Sequence, residues 1–122
     1  MVLVDTSVWI QHFRQRQVAL AEMLNRASVL SHPFVVGELA CGNLNNRAKI
    51  LGHLAALPSA TTASHVEVLD LIANRKLFGR GLGWIDNHLL ASALISHCDL
   101  WTFDAALQEA AQGIGVRCFE PI

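Results

Sequence analysis

The chain has 122 residues, enough for one domain with a substantial core, and 52% of them are hydrophobic. Its formal charge of −1, from nine Lys and Arg against ten Asp and Glu, excludes a protein that coats nucleic acid through overall basicity. Three cysteines, Cys41, Cys98 and Cys118, are an odd number without a CxxC pair, which excludes a disulfide framework and a zinc knuckle and leaves them as small buried hydrophobes.

Short apolar runs alternate with longer amphipathic ones, the pattern of βαβ units and a parallel sheet. Val2–Val4 reads as a first strand, followed by helices over 7–13 and 18–26 and a second strand over 29–31. Pro33 suits a first helical turn and opens a helix Pro33–Cys41, with another over 46–57. Ser64 and Glu67 form a capping box at the start of a helix over 66–76, and glycines 79, 81 and 83 mark a loop over 78–83. A helix over 85–97, a strand over 100–102, a helix over 105–112 capped by Asp104 and stopped at Gly113, and a fourth strand over 116–119 complete the order. The expected architecture is a three-layer α/β/α fold with a mainly parallel central sheet, forming a single domain over 1–122. No apolar stretch reaches the roughly 20 residues of a membrane span, and no basic, apolar leader follows Met1, so a cytoplasmic location is expected.

Four acids stand at junctions rather than on solvated helix faces, where Asp70 and Glu109 are placed. Asp5 and Asp104 follow apolar strands, at the carboxyl ends where open α/β folds place their ligand crevice. Glu38 lies among Val35, Val36, Leu39 and Ala40, and Asp86 opens the helix that runs on through Leu89 and Leu90. Taken singly, each has a structural alternative. Asp5 and Asp104 suit helix caps, Asp86 suits a first turn favoured by the helix dipole, and Glu38 suits an ion pair with Arg47. If the four gather in one site, nine positive charges face six negative ones elsewhere, a surplus of +3 that suits a phosphodiester substrate.

In their order, these residues match a known pattern. The segments VLVDTSVWI, FVVGELACG and WIDNHLLASALISHCDLWTFD, with the closing strand, resemble the PIN-domain family over the whole chain, and within it the VapC-type toxins of toxin–antitoxin pairs. Asp5-Thr6-Ser7 matches the first acidic motif, Glu38 with Gly42 the second, Asp86 with Leu89, Ala91 and Ala93 the third at slightly loosened spacing, and Leu100-Thr102-Asp104 the fourth. The resemblance implies a metal-dependent endoribonuclease with Asp5, Glu38, Asp86 and Asp104 as catalytic residues and metal ligands, using Mg2+ with Mn2+ as a substitute. It also implies a homodimer and a cognate VapB-like antitoxin that covers the acidic site.

Magnesium is a hard cation that prefers oxygen ligands, so carboxylates suit it and the six histidines do not. Bound there, it would activate water for in-line attack on phosphorus and stabilise the leaving 3′-oxygen. Thr6 and Ser7 are placed to orient Asp5, and Thr102 to orient Asp104. Arg14, Arg16 and Arg80, with Arg75 and Lys76, are the candidates to hold RNA, and Trp9 and Trp84 flank the acids as candidates to stack on a base or fill a core or dimer interface. Two rivals use other chemistry. A receiver-like phosphoacceptor would need a strand-borne lysine that neither Lys49 nor Lys76 supplies, and a PIN-like module that binds RNA or protein without cutting would ordinarily lack an acid.

Overall fold

Val2, Leu3 and Val4 are all buried, the composition of a parallel strand covered on both faces. In the computed structural model, which describes residues 1–121, they form β1, followed by α1 (Thr6–Arg14), α2 (Val18–Asn25), β2 (Val29–Leu30), α3 (Pro33–Cys41) and α4 (Arg47–Ala56). Then come α5 (His65–Asn74), α6 (Trp84–Ser96), β3 (Asp99–Trp101) and α7 (Ala105–Gly113). The sheet is parallel with order β2-β1-β3, pairing Leu3 with Leu30 on one side and with Leu100 on the other. Helices cover it in an α/β/α arrangement, with α1, α3 and α4 packed in one series and α5 against α6.

The element order agrees with the expectation, with boundaries shifted by one or two residues as helix ends usually are. The fourth strand is reduced. Cys118 makes a single parallel bridge to Leu100, through Leu100 N–H to Arg117 O (3.0 Å) and Phe119 N–H to Leu100 O (2.8 Å). A matching bridge on the far edge, Ser31 to Ser59, has no counterpart in the sequence reading, because Ser59 sits beside Pro58 in a stretch without strand periodicity. The core gathers Leu3, Leu20, Leu39, Leu77, Leu89, Leu100, Leu107 and Trp101, and every helix contributes to this cluster or packs beside it, α5 through Leu71 and Ile72. Cys98 is buried as expected, but Cys41 is exposed and Cys118 half-buried. The buried stripe of α3 runs through Val35 and Leu39, and Cys41 stands two residues further on, about 200° around the helix.

Four helices end in the same device. At α7, Gly115 is left-handed (φ 85°), with Val116 N–H bonded to Ala111 O (2.8 Å) and Gly115 N–H to Gln112 O (3.2 Å), a Schellman ending that lies two residues beyond the Gly113 stop expected from sequence. At α2, α5 and α6 the left-handed position is held by Ala27 (φ 55°), Lys76 (φ 54°) and His97 (φ 50°). The conformation costs a residue with a Cβ roughly 1–2 kcal/mol. Ala27→Gly is therefore expected to raise stability by about 0.5–1 kcal/mol, and Gly115→Ala to lower it by about 1 kcal/mol although a Cβ there would meet nothing within 4 Å. Urea unfolding of the two variants beside the parent checks both signs.

His32 closes the N-terminus of α3. Its Nδ1 accepts the Phe34 N–H (3.0 Å), so Nε2 carries the proton and donates to Ser92 Oγ of α6 (3.0 Å). Burial, with His88 nearby, lowers its pKa to about 4. The folded value lies below the ordinary 6.5, so this group's contribution is intact above about pH 6.5 and is lost as pH falls towards 4, because the unfolded chain takes up the proton first. Folding stability should drop by about 3 kcal/mol across that window. His32→Asn, which keeps a capping oxygen, should flatten the slope in denaturant titrations at a series of pH values.

Candidate active site

The ladder between β1 and β3 continues one step past both strands, with Asp5 N–H bonded to Trp101 O (2.9 Å). This sets Asp5 and Thr102 side by side at the carboxyl edge of the sheet. Asp5 is buried, 7% exposed, and caps α1. Its Oδ1 accepts the Thr6 N–H (2.7 Å), and its Oδ2 accepts both the Ser7 hydroxyl (2.9 Å) and the Thr102 hydroxyl (2.7 Å). Those hydroxyls in turn accept the backbone N–H groups of the next loop, Phe103 to Ser7 (3.1 Å) and Asp104 to Thr102 (3.0 Å).

The partners differ in part from the sequence reading. Ser7 orients Asp5 as expected, whereas the Thr6 hydroxyl donates to Glu38 Oε1 of α3 (2.7 Å). Thr102 supports the carboxylate of Asp5 and touches Asp104 only through its backbone. Asp104 caps α7, its Oδ1 accepting the N–H groups of Ala106 (2.9 Å) and Leu107 (3.2 Å). Asp86 stands in the first turn of α6 and accepts the Gly83 N–H (2.9 Å). Three of the four acids thus cap helices that begin at one edge, where positive helix termini favour negative charge.

That attraction is incomplete. Burial raises the pKa of the Asp86 carboxyl, and the charges of Asp5 and Asp104 raise it further, against the lowering effect of the Gly83 hydrogen bond. Glu38 forms no ion pair with Arg47, whose guanidinium instead donates to Ala40 O (3.0 Å). Among the described residues the one salt bridge is Arg117 to Asp99 (3.5 Å), away from these acids. As the side chains stand, no three His, Cys, Asp or Glu among the described residues converge as an ion cage. An oxygen-only donor set, with no ion pair to it among the described residues and with three of its members bonded to their own helix ends, fits a hard divalent cation that would draw it together.

Of the basic candidates, Arg14 lines a cavity of about 570 Å³ whose wall includes Glu38. Arg16 is exposed near His12, and Arg80 is exposed between left-handed Gly79 and Gly81. Trp9 is core, 3% exposed and stacked on Phe13, while Trp84 is 38% exposed against His65 and His88. The sequence reading missed His32, whose only signal was a residue able to accept a hydrogen bond just before Pro33, and the asparagines of the loop after α3, which also line that cavity.

By charge alone, Asp5→Asn would leave the fold intact or tighten it, since it removes one charge from a cluster of like charges, but the hydrogen bonds point the other way. An amide NH2 in place of Oδ2 would face two hydroxyl donors whose acceptor sites are already partly used, so Asp5→Asn and Thr102→Val should each cost about 1–3 kcal/mol. Asp86→Asn should do the opposite. A raised carboxyl pKa contributes stability below its ordinary value and loses it as pH rises through the folded value, so the ionised form is a burden near neutrality. Screening at a half-buried site keeps the gain under about 1 kcal/mol. Urea unfolding in EDTA should show Asp86→Asn above the parent at about pH 7 and level with it near pH 3.

The PIN domain family model matches residues 2–113. Two curated relatives, both named Ribonuclease VapC32, from Mycobacterium tuberculosis strains CDC 1551 / Oshkosh and ATCC 25618 / H37Rv, are 43% identical to this chain over 123 residues, covering 100% of it and 99% of each relative. With the parallel sheet and the acids at its carboxyl edge, these similarities show that the chain belongs to the PIN-domain family, on its VapC-like branch.

Proposed function

We propose that this chain is a toxin of the VapC type, a metal-dependent endoribonuclease that acts as one nuclease domain in the cytoplasm and is held inactive by a VapB-like antitoxin. The observation that supports it best is the grouping of the four acids: Glu38 and Asp104 are linked to the Asp5 node through Thr6 and Thr102, Asp86 is near enough to feel the charges of Asp5 and Asp104, and none of them makes an ion pair among the described residues. Asp5, Glu38, Asp86 and Asp104 would hold Mg2+, or Mn2+ in its place. The ion would supply activation of water and neutralisation of charge on the scissile phosphate.

The chain's own part is to position those acids. Ser7 and Thr102 fix the rotamer of Asp5, Thr6 holds Glu38 towards it, and the caps of α6 and α7 set Asp86 and Asp104 at helix ends. The antitoxin would close the same edge, where an inserted arginine would meet carboxylates that make no ion pair among the described residues. A homodimer is supported by exposed apolar side chains on α5, Val66 and Leu69, one turn apart. No helix among the described residues is long and apolar enough to cross a membrane.

Purified protein should cut single-stranded RNA in Mg2+ or Mn2+ and stop in EDTA, and Asp104→Asn should lower the rate about a hundredfold or more. In thermal melts, metal at a hundredfold excess over its dissociation constant should add about 2.7 kcal/mol to the parent. Asp86→Asn and Asp104→Asn should weaken that dependence, whereas the exposed Asp70 and Glu109 should be replaceable without effect on it. Intact RNA together with identical melts in EDTA and Mg2+ would overturn the reading and favour a PIN-like module that binds without cutting.

A further inference from the structure

Between α3 and α4 the chain runs Gly42-Asn43-Leu44-Asn45-Asn46, three carboxamides in five residues that the acidic site does not use. Asn46 occupies the N-cap position of α4 in the left-handed conformation (φ 55°, ψ 42°), yet its side chain makes no capping bond. An asparagine at a helix start ordinarily spends its amide on the first free N–H groups. Asn43 and Asn45 are exposed and likewise have no side-chain hydrogen bond among the described residues. All three border the cavity of about 570 Å³ that Arg14 and Glu38 also line, a volume within the range of about 300–1,000 Å³ typical of small-ligand sites.

The lining divides by chemistry. Phe13, backed by its stack on Trp9 with centroids 5.9 Å apart, joins Ile10, Leu39 and Ile50 in an apolar wall. The carboxamides face them with both donors and acceptors, and Arg14 is the one cation among the lining residues. Glu38 belongs both to this cavity and, through the Thr6 hydroxyl, to the Asp5 node. Whatever occupies the cavity therefore sits beside Glu38, which the Thr6 hydroxyl joins to the Asp5 node. Proteins that read single-stranded RNA do so by unstacking a base against an aromatic side chain and bonding its edge with groups of this kind.

We propose that this cavity is a base-recognition pocket: it takes one unpaired nucleobase beside the phosphate presented to the acids, with Phe13 on its face, Asn43, Asn45 and Asn46 on its edge, and Arg14 on the flanking phosphate. This deepens the ribonuclease reading and rests on it. The pocket selects the position of the cut, while the acids make it. A duplex, whose base edges are already paired, is excluded from it.

Two measurements separate the pocket from the chemistry. In metal-free solution, side-chain amide NMR during titration with AMP, CMP, GMP and UMP should show at least one nucleotide shifting the signals of the 43–46 asparagines, with the shifts lost in Phe13→Leu. In Mg2+, Asn43→Ala and Asn45→Ala should lower kcat/KM at the preferred site about tenfold and spread the cuts over other sequences. Variants that cut the same sites at the parent's rate, or nucleotides that shift only signals elsewhere, overturn the pocket and leave the ribonuclease reading standing. Nucleotide shifts at the loop in a parent protein that cuts no RNA overturn the ribonuclease reading and keep the pocket. Loop variants that cut normally but escape a protein inhibitor assign the cavity to a protein partner and overturn the proposal.

Discussion

The carboxylate of Asp5, buried and receiving three hydrogen bonds, is the constraint on which the rest of this edge depends. Burying an anion is costly unless donors surround it, and here they come from two separate parts of the chain, the β1–α1 junction and the β3–α7 junction. Parallel pairing of β1 with β3 brings the two together, since Asp5 and Thr102 each follow the last paired residue of its strand. The hydroxyls of Ser7 and Thr102 then hold the backbone of the next loop and so set where Asp104 begins α7.

The other acids are placed by a conflict between helix ends and like charges. Asp86 and Asp104 gain hydrogen bonds from the first turns of α6 and α7, yet Asp86 is less readily ionised, first because it is partly buried and further because Asp5 and Asp104 are near. Capping and the proposed ligand role would thus be two uses of one carboxylate. In metal-free protein the helix ends take the oxygens, and a divalent cation would compete for them while relieving the repulsion.

Rigid and adaptable parts of this edge have different origins. Asp5, Asp86 and Asp104 stand at strand ends and helix starts and Glu38 within α3, all on elements packed on the core, whereas the asparagines stand on a five-residue loop between α3 and α4. On the proposed readings, such a division would put chemistry on the scaffold and selection on a loop, so that one could change without the other. His32 joins two of the scaffold helices, because its cap on α3 and its bond to Ser92 of α6 fix the helix that bears Glu38 against the helix that bears Asp86.

The order of strands and helices, the Ser64–Glu67 capping box, the Asp104 cap and the placing of Asp5 just after the first strand were legible from residue order alone, because each depends on local periodicity or on neighbours within a few positions. Only tertiary structure decided who bonds to whom across long separations. Thr102 serves Asp5 rather than the Asp104 carboxylate, Thr6 reaches Glu38, and His32 reaches Ser92, contacts between residues far apart in sequence that no local pattern encodes. The same holds for single-bridge pairing at Ser59 and Cys118, for the exposure of Cys41, and for the cavity bounded by Arg14, Glu38 and the asparagine loop. Local sequence specifies what each segment can form, but the packing of α1, α3 and α4 specifies which free polar groups end up facing one another, and that depends on three dimensions at once.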